Sequence, residues 1–105
     1  MLTVCFITNT TAVTLTDMGI VLQEQGKLPE AMALYERALA IKEAAYGPQH
    51  TAVAVTLTNM GIVLERQGKL SEAMALYERA LAINEAAYGP QHTEVAVTLT
   101  HMGVV

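Results

Sequence analysis

The chain is short of nearly everything that marks a chemical site. It has one cysteine, Cys5, so neither an intramolecular disulfide nor a cysteine-rich zinc site can form. It has no basic excess: the formal net charge is −4, which leaves no positive field for nucleic acid. No stretch reaches the ~18 consecutive apolar residues of a membrane helix. The apolar start, Met1 to Ile7, lacks a basic lead-in, a long hydrophobic core and a cleavage site, and is not read as a signal peptide. Gly47 and Gly89 stand alone, with no glycine-rich loop to cradle a phosphate. A reducing, cytoplasmic setting is the expectation. The chain does have apolar side chains: 52% of residues are hydrophobic and 15% charged, too apolar a balance for a disordered chain.

The sequence repeats itself. Shifted by 42 residues, Ala12–Val63 aligns without a gap on Ala54–Val105, and only eight pairs differ: Asp17/Asn59, Gln23/Glu65, Glu24/Arg66, Pro29/Ser71, Lys42/Asn84, Ala52/Glu94, Asn59/His101 and Ile62/Val104. A period of ~20–50 residues marks a stacked-repeat protein. Chance does not give this match; recent duplication does.

Each unit reads as two helices. In the second unit Val53, Leu57, Met60, Gly61 and Leu64 recur at helical spacing as one apolar face. Val55, Ile62 and Val63 add apolar surface elsewhere, as on a helix packed by more than one neighbour. Gly68 suits the left-handed residue that closes a helix. A second helix opens near Leu70. Pro29 and Ser71, equivalent in the two copies, both favour a helix start: proline fits the first turn and serine can cap a free N–H. It runs through Ala73, Leu76, Tyr77, Ala80 and Leu81 to Gly89-Pro90, where proline stops it. Thr93 is a candidate cap for the next helix. The small Ala31, Ala38, Ala73 and Ala80 let the paired helices approach, with Tyr35 and Tyr77 filling the volume beside them.

The spacing predicts helices near residues 11–25, 28–46, 52–67, 70–88 and 93–104. The fold class is all-α: tandem antiparallel helix pairs stacked as a right-handed superhelix. Residues 11–50 form one unit, 51–92 a second, and 93–105 the first helix of a truncated third. Residues 1–10 do not align with the corresponding repeat segment and are left open as a divergent cap, a disordered end or an artefact of where the chain was cut. Without polar end caps, the chain reads as a fragment of a longer array. The identical loops at 47–50 and 89–92 predict the same backbone.

These residues resemble the tetratricopeptide repeat. Its signature is a large apolar residue, Leu-Gly, an aromatic, then Ala, aromatic, Ala and Pro. Leu15, Met18, Gly19, Leu22, Ala31, Tyr35 and Ala38 match in order, as do Leu57, Met60, Gly61, Leu64, Ala73, Tyr77 and Ala80. Leu99, Met102 and Gly103 begin a third copy. Leucines stand where the family often has Trp and Tyr. The repeat is also longer than the family's ~34 residues. The added length, with the junction at 80–92 and the Thr-x-Val-Ala-Val-Thr-Leu-Thr at 93–100, is similar to the kinesin light chain and nephrocystin-3 type.

The residues that look chemical have plainer readings. His50 and His92 recur one repeat apart, too far for one ion, and are read as loop residues bonded to nearby backbone. His101 replaces Asp17 and Asn59, as a groove contact or as drift. Glu24, Glu30, Glu36 and Glu43 and their copies are a solvated face, and Cys5 is an incidental thiol. Met18, Met60 and Met102 are read as core, Met32 and Met74 as partly exposed. Tyr46 and Tyr88 are read as braces at the inter-repeat junction. No catalytic residue, cofactor or metal ligand is named, and no enzyme is expected: a repeated chain offers the same groups in every unit, whereas catalysis needs unlike groups at one point.

The resemblance implies a scaffold that binds a protein or peptide, with the first helix of each pair lining a concave face. Carried over by register, that face is Val13, Thr16, Asp17, Ile20, Gln23 and Glu24, then Val55, Thr58, Asn59, Ile62, Glu65 and Arg66, then Val97, Thr100, His101 and Val104. Five of the eight differing pairs fall on it. β-Branched side chains and hydroxyls there suit an extended peptide or a partner helix, and cargo or adaptor binding of the kinesin-light-chain kind is one form. Some family members clamp a C-terminal carboxylate with a cluster of Lys, Arg and Asn. Arg66, against Asp17, Glu24 and Glu65, is too little for that clamp. The alternative is a sensor or oligomerisation segment of a larger signalling protein. Neither nucleic acid nor membrane is an expected partner. Self-association is expected through the half-repeat, where Val97, Leu99, Met102, Val104 and Val105 lack a following helix.

Overall fold

A computed structural model describes residues 2–89 and 92–104, with the side chains of 10–89, 92, 93 and 95–103. The side chains of Cys5, Glu94 and Val104, and the whole of Val105, lie outside the described residues. Five helices follow one another: α1 (Leu2–Glu24), α2 (Leu28–Tyr46), α3 (Thr51–Arg66), α4 (Leu70–Tyr88) and α5 (Thr93–Val104). There is no strand among the described residues, and the fold is an all-α helical repeat solenoid. No described helix is long and apolar enough to cross a membrane. α1 begins at Leu2, ahead of the start near residue 11 that the spacing predicts. Leu2 to Thr11 holds no glycine or proline, and its β-branched residues lower helix propensity only slightly.

Within each unit the two helices pack as a pair, α1 on α2 and α3 on α4; α2 then meets α3, and α4 meets α5. The described chain measures 40 × 34 × 18 Å, its thin dimension about two helix diameters. The alanines at 31, 38, 73 and 80 and both Tyr35 and Tyr77 are wholly buried. They are so close to their partner helices because a glycine faces each tyrosine. A Cβ at Gly19 would lie 2.5 Å from Tyr35 Cε1, and one at Gly61 would lie 2.8 Å from Tyr77 Cδ1. No side chain fits there, so the glycines set the helix spacing.

The turn inside each unit is a Schellman closure. Gly68, at φ 80°, donates its N–H to the Glu65 carbonyl, and Lys69 donates to the Leu64 carbonyl. Gly26 and Lys27 repeat the arrangement on Gln23 and Leu22. The turns between units also match where described. Gly47 and Gly89 have φ/ψ of 89°/157° and 88°/161°, and both His50 and His92 donate back to the glycine carbonyl at 3.3 Å. Pro90 and Gln91 lie outside the described residues.

The helix starts correct two expectations. α4 opens at Leu70 after Lys69, with no side-chain cap; Ser71 is already inside the first turn and caps nothing. Pro29 occupies the same first-turn place in α2, where a missing N–H costs nothing. Thr93 is the first residue of α5 rather than its cap. In the equivalent place the cap of α3 is His50, whose Nδ1 accepts from the Ala52 N–H at 3.0 Å. The imidazole also stacks on Tyr46, with ring centroids 4.7 Å apart, as His92 does on Tyr88 at 4.3 Å.

One core assignment fails at the edge of the stack. Met60 is 8% exposed, packed with Val63 against Ala31 and Tyr35 of the preceding unit. Its copy Met18 is 50% exposed, because no described helix packs over that side of α1. Met102 is half-buried against the Tyr77 cluster. At the other edge Leu57 is buried beneath α4 while its copy Leu99 is 50% exposed.

Replacing Tyr77 by alanine is expected to lower stability by about 3–5 kcal/mol, the cost of a large core truncation. Urea unfolding followed by circular dichroism measures it.

Candidate functional site: the groove between successive first helices

Six of the lining positions expected on α3 and α5 border one cleft, and Glu65, Arg66 and Thr100 lie outside it. Val55, Thr58, Asn59 and Ile62 of α3 face Val97 and His101 of α5 across a cleft of about 200 Å³. Two further residues complete it, Asn84 of α4 and Thr98 of α5. α4 supplies the floor and the two first helices supply the walls. Val55 and Val97 stay largely exposed, so the walls are β-branched apolar side chains with Asn59 and His101 as the polar points. His101 also stacks on Tyr77, centroids 5.7 Å apart, which fixes its ring against the core.

The threonine hydroxyls are spent differently from the expectation that they serve a ligand. Thr16, Thr58 and Thr100 each donate to the carbonyl four residues back, of Ala12, Ala54 and Ala96. Their protons are used inside the helix, and only acceptor lone pairs remain. Thr16 is moreover buried.

Two lining positions also serve the core. The Tyr35 hydroxyl donates to Gln23 Oε1 at 2.8 Å, and the Tyr77 hydroxyl to Glu65 Oε2 at 3.3 Å. Burial pushes the Tyr35 pKa up; the Arg66 charge opposes this and the Glu24 charge adds to it. Gln23 thus holds the buried hydroxyl, and the charges of Glu24 and Arg66 act on it in opposite senses. Tyr77 is also raised, first by burial and then by the charge of the Glu65 carboxylate that accepts its hydrogen bond. Val13, Asp17, Ile20 and Glu24 stand exposed on α1, outside the cleft between α3 and α5.

Asn84 and Thr98, with their copies Lys42 and Thr56, escaped the sequence reading. Thr56 and Thr98 are buried at the boundary between units. Lys42 Nζ donates to Thr56 Oγ1 at 3.0 Å, and Asn84 Nδ2 to Thr98 Oγ1 at 3.4 Å. The signal was in the sequence, since Lys42/Asn84 is one of the eight differing pairs. It sits on a second helix, which the register places away from the groove. A further link across the units is the Arg79–Glu43 ion pair at 3.0 Å; both side chains are about one-third exposed, so it adds at most about 1 kcal/mol.

A second, more open cleft of about 480 Å³ lies where the helices turn, lined among others by Pro29, Met32, Met60, Leu64 and Lys69. None of the expected lining positions reaches it. Among the described residues no three His, Cys, Asp or Glu side chains gather closely enough to hold a metal ion.

Residues 10–86 match the family model described as the tetratricopeptide repeat. No curated protein matches the chain. Repeats of that family generally mediate protein–protein interaction and are typically non-catalytic.

Proposed function

The chain belongs to the tetratricopeptide repeat family, and from that premise we propose that it is a scaffold binding an extended peptide or a partner helix along the groove of its first helices. The observation that carries this is the cleft between α3 and α5. It joins side chains from two successive units, and it does so where their chemistry differs, at Asn59 and His101. A ligand crossing the units meets Asp17, then Asn59, then His101, over an apolar wall that varies little. Cargo or adaptor binding of the kinesin-light-chain kind is one form of this function. The exposed ends of the described stack favour a second role as an oligomerisation segment, through Val97, Leu99 and Met102 of α5.

Two predictions follow from these surfaces. For a dodecapeptide selected on the protein from a random display library, calorimetric titration is expected to show Asn59→Ala and Arg66→Ala each weakening binding about fivefold, at unchanged helix content. Glu78→Ala and Glu85→Ala should bind like the parent. The reverse pattern, binding lost at Glu78 or Glu85 and kept at Asn59 and Arg66, places the site elsewhere. For the second role, sedimentation velocity at rising concentration is expected to show dimers and larger species that Leu99→Glu reduces. A monomer at every concentration removes it.

A further inference from the structure

The 42-residue shift relates the cleft between α3 and α5 to the junction between α1 and α3. The floors of the two differ. Asn84 lines the first; Lys42 stands in the equivalent place at the second. Each makes the same hydrogen bond across the unit boundary, to Thr98 and to Thr56. A hydroxyl satisfies one N–H of an ammonium but does not neutralise its charge. Lys42 is only 6% exposed, and the one ion pair among the described residues is Arg79–Glu43. Asp17, the acidic residue of the α1 wall, is exposed and makes no ion pair with it. Burial alone acts on the ammonium, lowering its pKa, with no carboxylate to hold it charged.

A buried cation without a counterion is costly to a fold. The second copy shows that asparagine serves the same packing position with the same hydrogen bond. The lysine is thus not required for the architecture, and the repeat equivalence puts its uncompensated charge where Asn84 forms the floor of the next cleft.

We propose that Lys42 is a carboxylate anchor: the bound segment sets an Asp or Glu side chain at the junction of α1 and α3, and an uncharged side chain over Asn84 in the next cleft. This rests on the groove being the binding surface. It differs from a carboxylate clamp, which needs a cluster of basic residues on the lining helices. Here a single cation rises from the second helix and selects for acidic residues within the partner.

The test is selection of a random dodecapeptide display library on the protein and on its Lys42→Asn and Lys42→Arg variants. Lys42→Asn keeps the fold on the pattern of the neighbouring unit. Peptides from the parent and from Lys42→Arg are expected to share an acidic residue at one fixed position, and those from Lys42→Asn to lack it. Changing that residue to its amide should weaken binding to the parent about tenfold and leave binding to Lys42→Asn unchanged. Peptides that bind and respond to Asn59→Ala, yet show no acidic position or keep it with Lys42→Asn, overturn the anchor and leave the groove standing. Failure of the parent to select any peptide overturns both.

Discussion

The contact between a glycine of each first helix and a tyrosine of each second helix governs the rest of the structure. Gly19 faces Tyr35 and Gly61 faces Tyr77 with no room for a Cβ. Glycine in a helix interior costs about 1 kcal/mol relative to alanine. That cost is offset because the aromatic ring packs directly on backbone, and the two helices of a unit close to a distance no larger residue allows. The same tyrosine then reaches past the glycine to the rim of the groove. Its hydroxyl is bonded to Gln23 in one unit and Glu65 in the other, and Tyr77 also stacks on His101 of the following unit. One side chain per repeat thus joins the pair, the groove wall and the next repeat.

This connection explains how the two copies diverge. The residues that set spacing, the glycines, alanines and tyrosines, are identical in both units. Apart from Pro29/Ser71 and Ala52/Glu94 at helix starts, the changes fall on the first-helix face and at the floor, where Asp17, Asn59 and His101 succeed one another and Lys42 gives way to Asn84. A change at such a place alters the chemistry of the cleft without altering the distance between helices. At the floor the effect is largest, because a buried charge and a buried amide differ far more in solvation than the same pair on the surface.

Most of the architecture was legible because it rests on local periodicity. Val53, Leu57, Met60 and Leu64 at helical spacing gave α3, the Gly68 turn gave its end, and Ala73, Tyr77 and Ala80 gave the buried stripe of α4. What periodicity does not carry is the third dimension. Met18 has the spacing of Met60 but not its neighbour, so its burial depends on a helix that periodicity within α1 does not reveal. The hydroxyls of Thr16, Thr58 and Thr100 turn back on their own helices, a rotamer choice that sequence leaves open. The His50 cap depends on the path of the turn at 47–50. Lys42 and Asn84 lie on second helices, and only the packing of α2 and α4 beneath the first helices brings them to the groove floor.

The dependence on the glycine–tyrosine contact is open to direct measurement. Gly61→Ala would be introduced into the parent and into Tyr77→Ala, and the change in unfolding free energy compared between the two backgrounds. In the parent the substitution is expected to destabilise by about 1–3 kcal/mol, as overpacking does, although alanine is the better helix former. With the ring removed it should become neutral or stabilising, by up to about 1 kcal/mol. An equal effect of Gly61→Ala in both backgrounds would contradict the account.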